Sequence, residues 1–343
     1  MHLNIHLMHV CGTHQDTITH YGLDSLFRNC GITIRQGPGC PVCVTTMREY
    51  EEAIALLKKG ITITTFGDAA RVPGQHSSLL DLRAEGYDVR IVYGIGDAVK
   101  VAKKTGRRVV FLGVGFETTA PSTAVMALKG LPENFSILCC HRYIPPVLKA
   151  LLDMGEFKLH GLIEPGHVST IIGVKPYEDI SRRYHIPQVI AGFEPLDMLM
   201  AVYMLARQIE NGVAKVENEY SRVVRYEGNV RALKALDEVF EPFNVDWRGF
   251  PIIHRSGMKM KTEYESFDAR KVYEDELRDV NQKVFEDSKG CKCGEVLRGL
   301  ADSSDCTLFS TRCTPTHPIG PCMVSVEGYC NIQYKYQRVH EQS

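Results

Sequence analysis

The chain has 343 residues, 44% of them hydrophobic and 24% charged, with a formal net charge of −1. This is the balance of a globular protein with a sizeable core, too long for one average domain, and it offers no electrostatic footprint for nucleic acid or an anionic membrane. MHLNIHLMHV lacks the basic start, long apolar run and small-residue cleavage site of a signal peptide, and no apolar run is long enough to span a bilayer. The expected location is therefore the cytoplasm, where clustered cysteines bind metal or do redox chemistry more often than they form structural disulfides.

In chain order, short apolar runs at residues 3–10, 32–35, 61–66, 89–93 and 109–114 read as strands. A helix over 45–59 places Met47, Tyr50, Ile54 and Leu57 on one face, and Gly60 ends it. Further strands are expected at 136–140, 159–164 and 187–193, again separated by helices. Such alternation predicts an α/β fold with parallel sheets. Residues 1–118 form a first α/β domain in this reading and 119–215 a second. Residues 216–343 form a helical and cysteine-rich third, with a polar helical region over 219–240 and a charged helix over 268–287. The tail is rich in glycine and proline and poor in aliphatics, so a metal centre would supply cross-links that a small core cannot.

Twelve cysteines are present. Cys11, Cys40 and Cys43 lie near the front, on loops that follow the first two strands, where α/β sheets carry their active residues. GDAARVPG follows the third strand and GVGFETTAP the fifth. Cys40 and Cys43 form a C-x-x-C pair at a predicted helix start, whose free amides favour thiolate. Cys11 is followed by His14, and thiol and imidazole together suit a soft metal or mutual activation. The tail reads C-x-C-x12-C-x6-C-x8-C-x7-C, from Cys291, Cys293, Cys306, Cys313 and Cys322 to Cys330. It lacks the paired C-x2-C knuckles of structural zinc sites. Four thiolates on loops suit a [4Fe–4S] cluster with two sulfurs to spare, or a zinc site with two inert thiols. In C-x-C the two side chains diverge, so one of Cys291 and Cys293 could ligate while the other faces a partner thiol, for which Cys322 is the candidate.

Other residues read less sharply. Asp68 and Arg71 of GDAARVPG position a ligand or form a loop ion pair, with the ion pair favoured. Glu117 and Glu194 are site-lining acids or helix N-terminal charges. Gly113 and Gly115 serve tight packing or the close approach of a partner backbone, since no phosphate-binding GxGxxG or GKS/T pattern surrounds them. Cys30, Cys139 and Cys140 read as structural thiols.

Taken together, MHVCGTH, GPGCPVCV, GDAARVPG, VRIVYG, GVGFETTAP, EPGHVSTIIG, AGFEPLDML, RVVRYEGN and the tail CKCGEVLRG…CTPTHPIGPC…EGYC resemble the hydrogenase maturation factor HypD family over essentially the whole chain. Family members carry about one more helical segment before the CGTH strand. The resemblance implies a scaffold, monomeric within a complex with HypC, on which the Fe(CN)2CO unit of [NiFe]-hydrogenase is assembled with cyanide delivered by HypE. It implies that Cys11 ligates that iron, that Cys40 and Cys43 are the adjacent redox pair, and that His14 and His167 line or support the site. It implies a [4Fe–4S] cluster held by Cys291, Cys306, Cys313 and Cys330, leaving Cys293 and Cys322 as a second redox pair; exchange of Cys291 with Cys293 is the alternative ligand set. The rival function is a stand-alone iron–sulfur thiol-disulfide oxidoreductase, which would have no use for Cys11 with His14.

Overall fold

The computed structural model describes residues 4–340, with side chains described to residue 336. It contains two all-parallel sheets and one antiparallel hairpin. Strands β1 (Ile5–His9), β2 (Ile32–Gln36), β3 (Thr62–Thr65), β4 (Val89–Ile91), β5 (Val109–Gly115), β6 (Phe135–His141), β7 (Gly161–Pro165) and β8 (Gln188–Ala191) fall where the apolar runs predict them. Residue 3 of the first expected strand lies outside the described residues. The helix expected over 45–59 is Met47–Lys58, started by a capping box in which the Thr46 amide and hydroxyl both donate to Glu49.

The strands are distributed between the sheets in an interleaved way. Once β9 (Val216–Asn218) is included, one sheet runs β2-β1-β7-β8-β9 and the other β4-β3-β5-β6. The first sheet thus takes its strands from both ends of the α/β region, and the second is inserted between β2 and β7. A division at 118/119 falls between β5 and β6, which pair along their whole length from Val109↔Phe135 to Gly115↔His141. Strand periodicity reports which residues face the core but not which parallel neighbour a crossover reaches, so the split into two consecutive sheets does not describe this molecule.

The region after Val216 also departs from its expected helical character. Only Val230–Val239 is helical in the stretch 219–240, and β10 (Phe240–Asp246) and β11 (Ile252–Met260) follow as an antiparallel hairpin with an irregularity between Phe243 and Val245. The charged helix expected over 268–287 is two short ones, Ala269–Val272 and Glu274–Asn281. The hairpin lies beside β6, with an isolated bridge between Arg142 and Gly257. Arg142 anchors it from a fully buried position. Its guanidinium donates to Glu49 Oε2 at 2.6 Å, to the Asp246 carbonyl at 2.8 Å and to the Cys140 carbonyl at 3.0 Å, and it lies over the Trp247 ring.

One buried apolar cluster is continuous from both sheets into the tail, joining Met8, Val10, Leu112, Leu162 and Ile190 to Trp247, Leu297 and Met323. The cysteine-rich tail therefore packs on the α/β body. No helix among the described residues is long and apolar enough to cross a membrane.

Candidate functional site

The site forms where β1 and β2 end. Cys11 follows β1 and caps the helix Gly12–His20 in an extended conformation, and its carbonyl accepts the Gln15 amide. The GPGCPVC loop leaves β2 and folds back: Gly37 N–H donates to the His9 carbonyl at 2.7 Å. Gly39 lies so close to the Val10–Cys11 peptide that a Cβ there would collide with the Val10 carbonyl and the Cys11 amide. Only glycine permits this approach, which brings the front cysteine loops together as neighbouring-strand loops should be.

Cys40 and Cys43 are joined as a disulfide with Cα atoms 5.2 Å apart, and neither has any exposed surface. Cys40 caps the short helix Pro41–Val44, and its sulfur accepts the Cys43 amide at 3.2 Å. This helix packs against two tail helices, Pro321–Val324 and Cys293–Leu297, and Cys43 Sγ lies 3.9 Å from the Pro321 carbonyl, one residue from Cys322. The front disulfide thus sits between Cys11 and the tail cysteines. Arg248, itself buried, pins the far end: its amide donates to Val44 O at 2.9 Å, its guanidinium donates to Thr45 O at 3.0 Å, and Asp287 pairs with it.

Cys11 is buried. Burial first, and then the negative charge of Glu327, push its thiol up to about 12, so it stays protonated at neutral pH. Glu327 comes from the tail and packs directly on Gly12, where a Cβ would strike it. His14 is also fully buried. Its Nε2–H donates to the Ala191 carbonyl at 3.3 Å, which leaves Nδ1 as an unprotonated lone pair with no hydrogen-bond partner among the described residues. Burial, with the neighbouring His9 second among the lowering causes, pushes the His14 ring down to about 3 and keeps it neutral. His167 is exposed at the start of the helix Gly166–Ile172 and stacks on Phe193 at 3.8 Å; His14 lies 5.1 Å from the other part of that contact, the same Phe193 ring.

In the tail, Cys291, Cys293, Cys306, Cys313 and Cys330 line one small cavity with Val296, Leu308, Phe309 and Met323. Cys322 is not among the lining residues. The thiols of Cys291, Cys293 and Cys322 influence one another in series, so Cys293 links the cavity it lines to Cys322. A Cβ on Gly320 would lie 2.6 Å from both Cys291 Sγ and Cys293 Sγ, so glycine is what lets the backbone pass between them. Among the described residues no three His, Cys, Asp or Glu side chains gather in a way that would hold a single metal ion. Thiols spread around an apolar cavity instead fit a polynuclear cluster, which takes one thiolate per iron.

Asp68 and Arg71 do not pair with each other. Asp68 accepts the Val326 amide at 3.2 Å and Arg71 donates to the Pro315 carbonyl at 2.5 Å, so GDAARVPG fastens the tail to the body. Glu194 belongs to a capping box at the helix Pro195–Glu210, whereas Glu117 is buried with Oε1 accepting the Ile144 amide at 2.9 Å and Oε2 unpartnered. Gly115 packs tightly on Thr119. Cys139 and Cys140 are buried in the body, but Cys30 is exposed after the helix Leu23–Asn29. Reading the sequence alone missed three residues: Glu327, whose only signal is an acid in the cysteine-rich EGYC; Arg248, next to the single tryptophan; and Glu164 of EPGHVS. Glu164, next to last in β7, has no exposed surface and both carboxylate oxygens unpartnered, and burial pushes it up to about 8.

Comparison with known proteins agrees with these motifs. The HypD family model, described as "Hydrogenase formation hypA family", matches residues 2–337. A putative hydrogenase expression/formation protein of Methanocaldococcus jannaschii is 50% identical over 339 residues, covering 97% of this chain and 92% of its own. Hydrogenase maturation factors HypD of Cupriavidus necator and Escherichia coli are 41% and 40% identical, covering 96% and 97% of this chain and 89% and 90% of theirs. The chain belongs to the HypD family of hydrogenase maturation factors.

Proposed function

We propose that this maturation factor is a cytoplasmic scaffold that, as a monomer bound to HypC, holds iron while the Fe(CN)2CO unit is assembled and accepts cyanide delivered by HypE. The observation that carries the reading is the position of the Cys40–Cys43 helix, packed against the Cys11 loop on one side and the tail cysteines on the other. Cys11 is the thiol offered to the iron cargo. Soft, low-spin Fe(II) prefers thiolate, and its binding displaces the proton that burial otherwise keeps on the sulfur. The Nδ1 lone pair of His14 and the Phe193–His167 stack lie around the same loops as support for the cargo.

The tail donor set fits a [4Fe–4S] cluster, with Cys291, Cys306, Cys313 and Cys330 as its ligands. When bound, such a cluster supplies one-electron transfer. The chain's own thiols connect the two cysteine groups. A Cys322 thiolate attacks one sulfur of the Cys40–Cys43 disulfide, Cys293 then attacks the resulting mixed disulfide, and the front pair is released reduced as Cys293–Cys322 closes. Two electrons move towards Cys11 in this exchange: the tail pair is oxidised to a disulfide as the front disulfide is reduced to two thiols, which take up the two protons.

A stand-alone oxidoreductase would have to expose its disulfide to a diffusible dithiol. Neither Cys40 nor Cys43 has accessible surface, which favours an internal partner. Infrared spectroscopy of the purified HypC complex tests the reading: cyanide and CO stretching bands should be present and should vanish with Cys11→Ala. Bands that survive that substitution would remove Cys11 from the iron.

A further inference from the structure

A second feature lies away from the cysteines. A cleft of about 1010 Å³ opens beyond the carboxyl end of β5, between the helices Ile144–Met154 and Lys175–Tyr184 and the turn joining β10 to β11. Pro145, Pro146, Pro176, Pro242 and Pro251 line it. Proline brings rigid apolar surface and no amide donor, so these five positions offer an apolar body contact without backbone hydrogen bonds. Glu117 also lines it, 1% exposed, with Oε2 unpartnered.

We propose that this cleft binds the carboxylate of a ligand with an apolar body, and that Glu117 is the hydrogen-bond donor that receives it. Oε1 of Glu117 is already engaged as an acceptor by the Ile144 amide. Any proton on the carboxyl therefore belongs on Oε2, the atom free to donate. Burial pushes Glu117 up to about 8, which keeps that proton in place at neutral pH. A buried acid held neutral in an apolar site is suited to donating a hydrogen bond to an anion.

The surroundings agree in sign. Tyr143 lines the cleft and Tyr177 lies within electrostatic reach of Glu117, and burial raises both phenols, so neither adds charge. Lys149, Lys175 and Arg255 line the cleft without an ion-pair partner among the described residues, while Arg183 is matched by Asp153 at 3.8 Å. Glu227 and His254 complete the ionisable lining. Positive charge is in excess around a neutral donor, the arrangement an anion requires. A free organic acid and the C-terminus of a peptide share this chemistry.

Calorimetric titration tests the site with 4-phenylbutyrate and N-acetyl-Leu-Leu, against 4-phenylbutyramide and the amidated dipeptide. At pH 6.5 at least one carboxylate should bind about tenfold or more tighter than its amide, the discrimination expected of one charge-assisted hydrogen bond. The better carboxylate identifies the source, free acid or peptide end. Its affinity should fall about tenfold by pH 9, where Glu117 loses its proton. A His254→Gln background removes the rim imidazole from that comparison. Glu117→Gln keeps a donor at the same place, so binding should persist and lose its pH dependence, while Glu117→Ala should weaken binding at both pH values. Urea midpoints of the two variants confirm folding. Equal binding of acid and amide, no binding of any probe, or unchanged affinity in folded Glu117→Ala would overturn the assignment.

Discussion

Gly320→Ala is a one-carbon change that should disable the tail site. Gly320 has ordinary extended backbone angles, φ −117° and ψ 155°, so alanine there suffers no intrinsic strain and any effect must be steric. The new Cβ would stand 2.6 Å from the sulfurs of Cys291 and Cys293. Carbon and sulfur need roughly 1 Å more than that, so two side chains in a close-packed interior must both give way. Overpacking of this size costs about 1–3 kcal/mol. The same displacement moves a thiol that a cluster would need in place. Urea unfolding of the metal-free protein should show the loss, with Gly94→Ala as the control, since a Cβ at Gly94 meets nothing within 4 Å. Reconstitution with iron and sulfide should then give less visible absorption than the unaltered protein. In a Cys293→Ala background one of the two colliding sulfurs is gone, and the penalty should shrink. Stability and absorption equal to those of the Gly94→Ala control would show that the sulfurs are not held where this geometry requires.

Three further outcomes follow from other parts of the molecule. Cys313→Ala should abolish the visible absorption of the reconstituted tail, whereas Cys322→Ala should keep it and block maturation; loss of absorption in Cys322→Ala would reverse the ligand assignment. Arg142→Met strands the Glu49 carboxylate in the interior and should cost about 3–5 kcal/mol in urea unfolding; a loss below about 1 kcal/mol would mean that Thr46 and Arg270 suffice to hold that charge. Glu164 is protonated in the folded chain up to about pH 8 but ionises from about 4.5 when unfolded. Its contribution is therefore fully present below pH 4.5 and declines as pH rises to about 8, with a slope of up to about 1.4 kcal/mol per pH unit. Glu164→Gln should flatten the urea midpoint between pH 5 and 8 relative to the unaltered chain, and identical pH profiles would count against a neutral buried acid.

The eight strands β1 to β8 were legible because each is a short apolar run closed by turn residues, and the parallel character followed from the helices between them. β10 and β11 were not legible. Pro242 and the polar residues of FNVDW and IIHRSGMKM hide the alternation, and the hairpin is specified by its packing on β6 and by Arg142 instead. Within the site, proximity of Cys11 to Cys40 and Cys43 could be read from consecutive strands, and the structure pairs those strands directly as Ile5↔Ile32 to His9↔Gln36. The approach of the tail was not readable in the same way. It depends on close passages at Gly12, against Glu327, and at Gly299, against Met8 and Arg35, and on Asp68 and Arg71 reaching over 240 residues along the chain. A motif names such residues, but only tertiary packing says what they touch.

The interleaving of the sheets has a consequence for the order in which the protein is made. β1 and β2 leave the ribosome before β7, the other neighbour of β1, and Cys11 meets Glu327 only when the tail emerges. At roughly 5–20 residues per second, on the order of ten seconds separate β2 from β7. Throughout that interval the sheet that carries Cys11 is half built, and the helix around Cys40 and Cys43 lacks the tail it packs against. No nascent fragment that stops short of the tail presents the full set of thiols, so the proposed metal sites would exist only once the tail has emerged and packed.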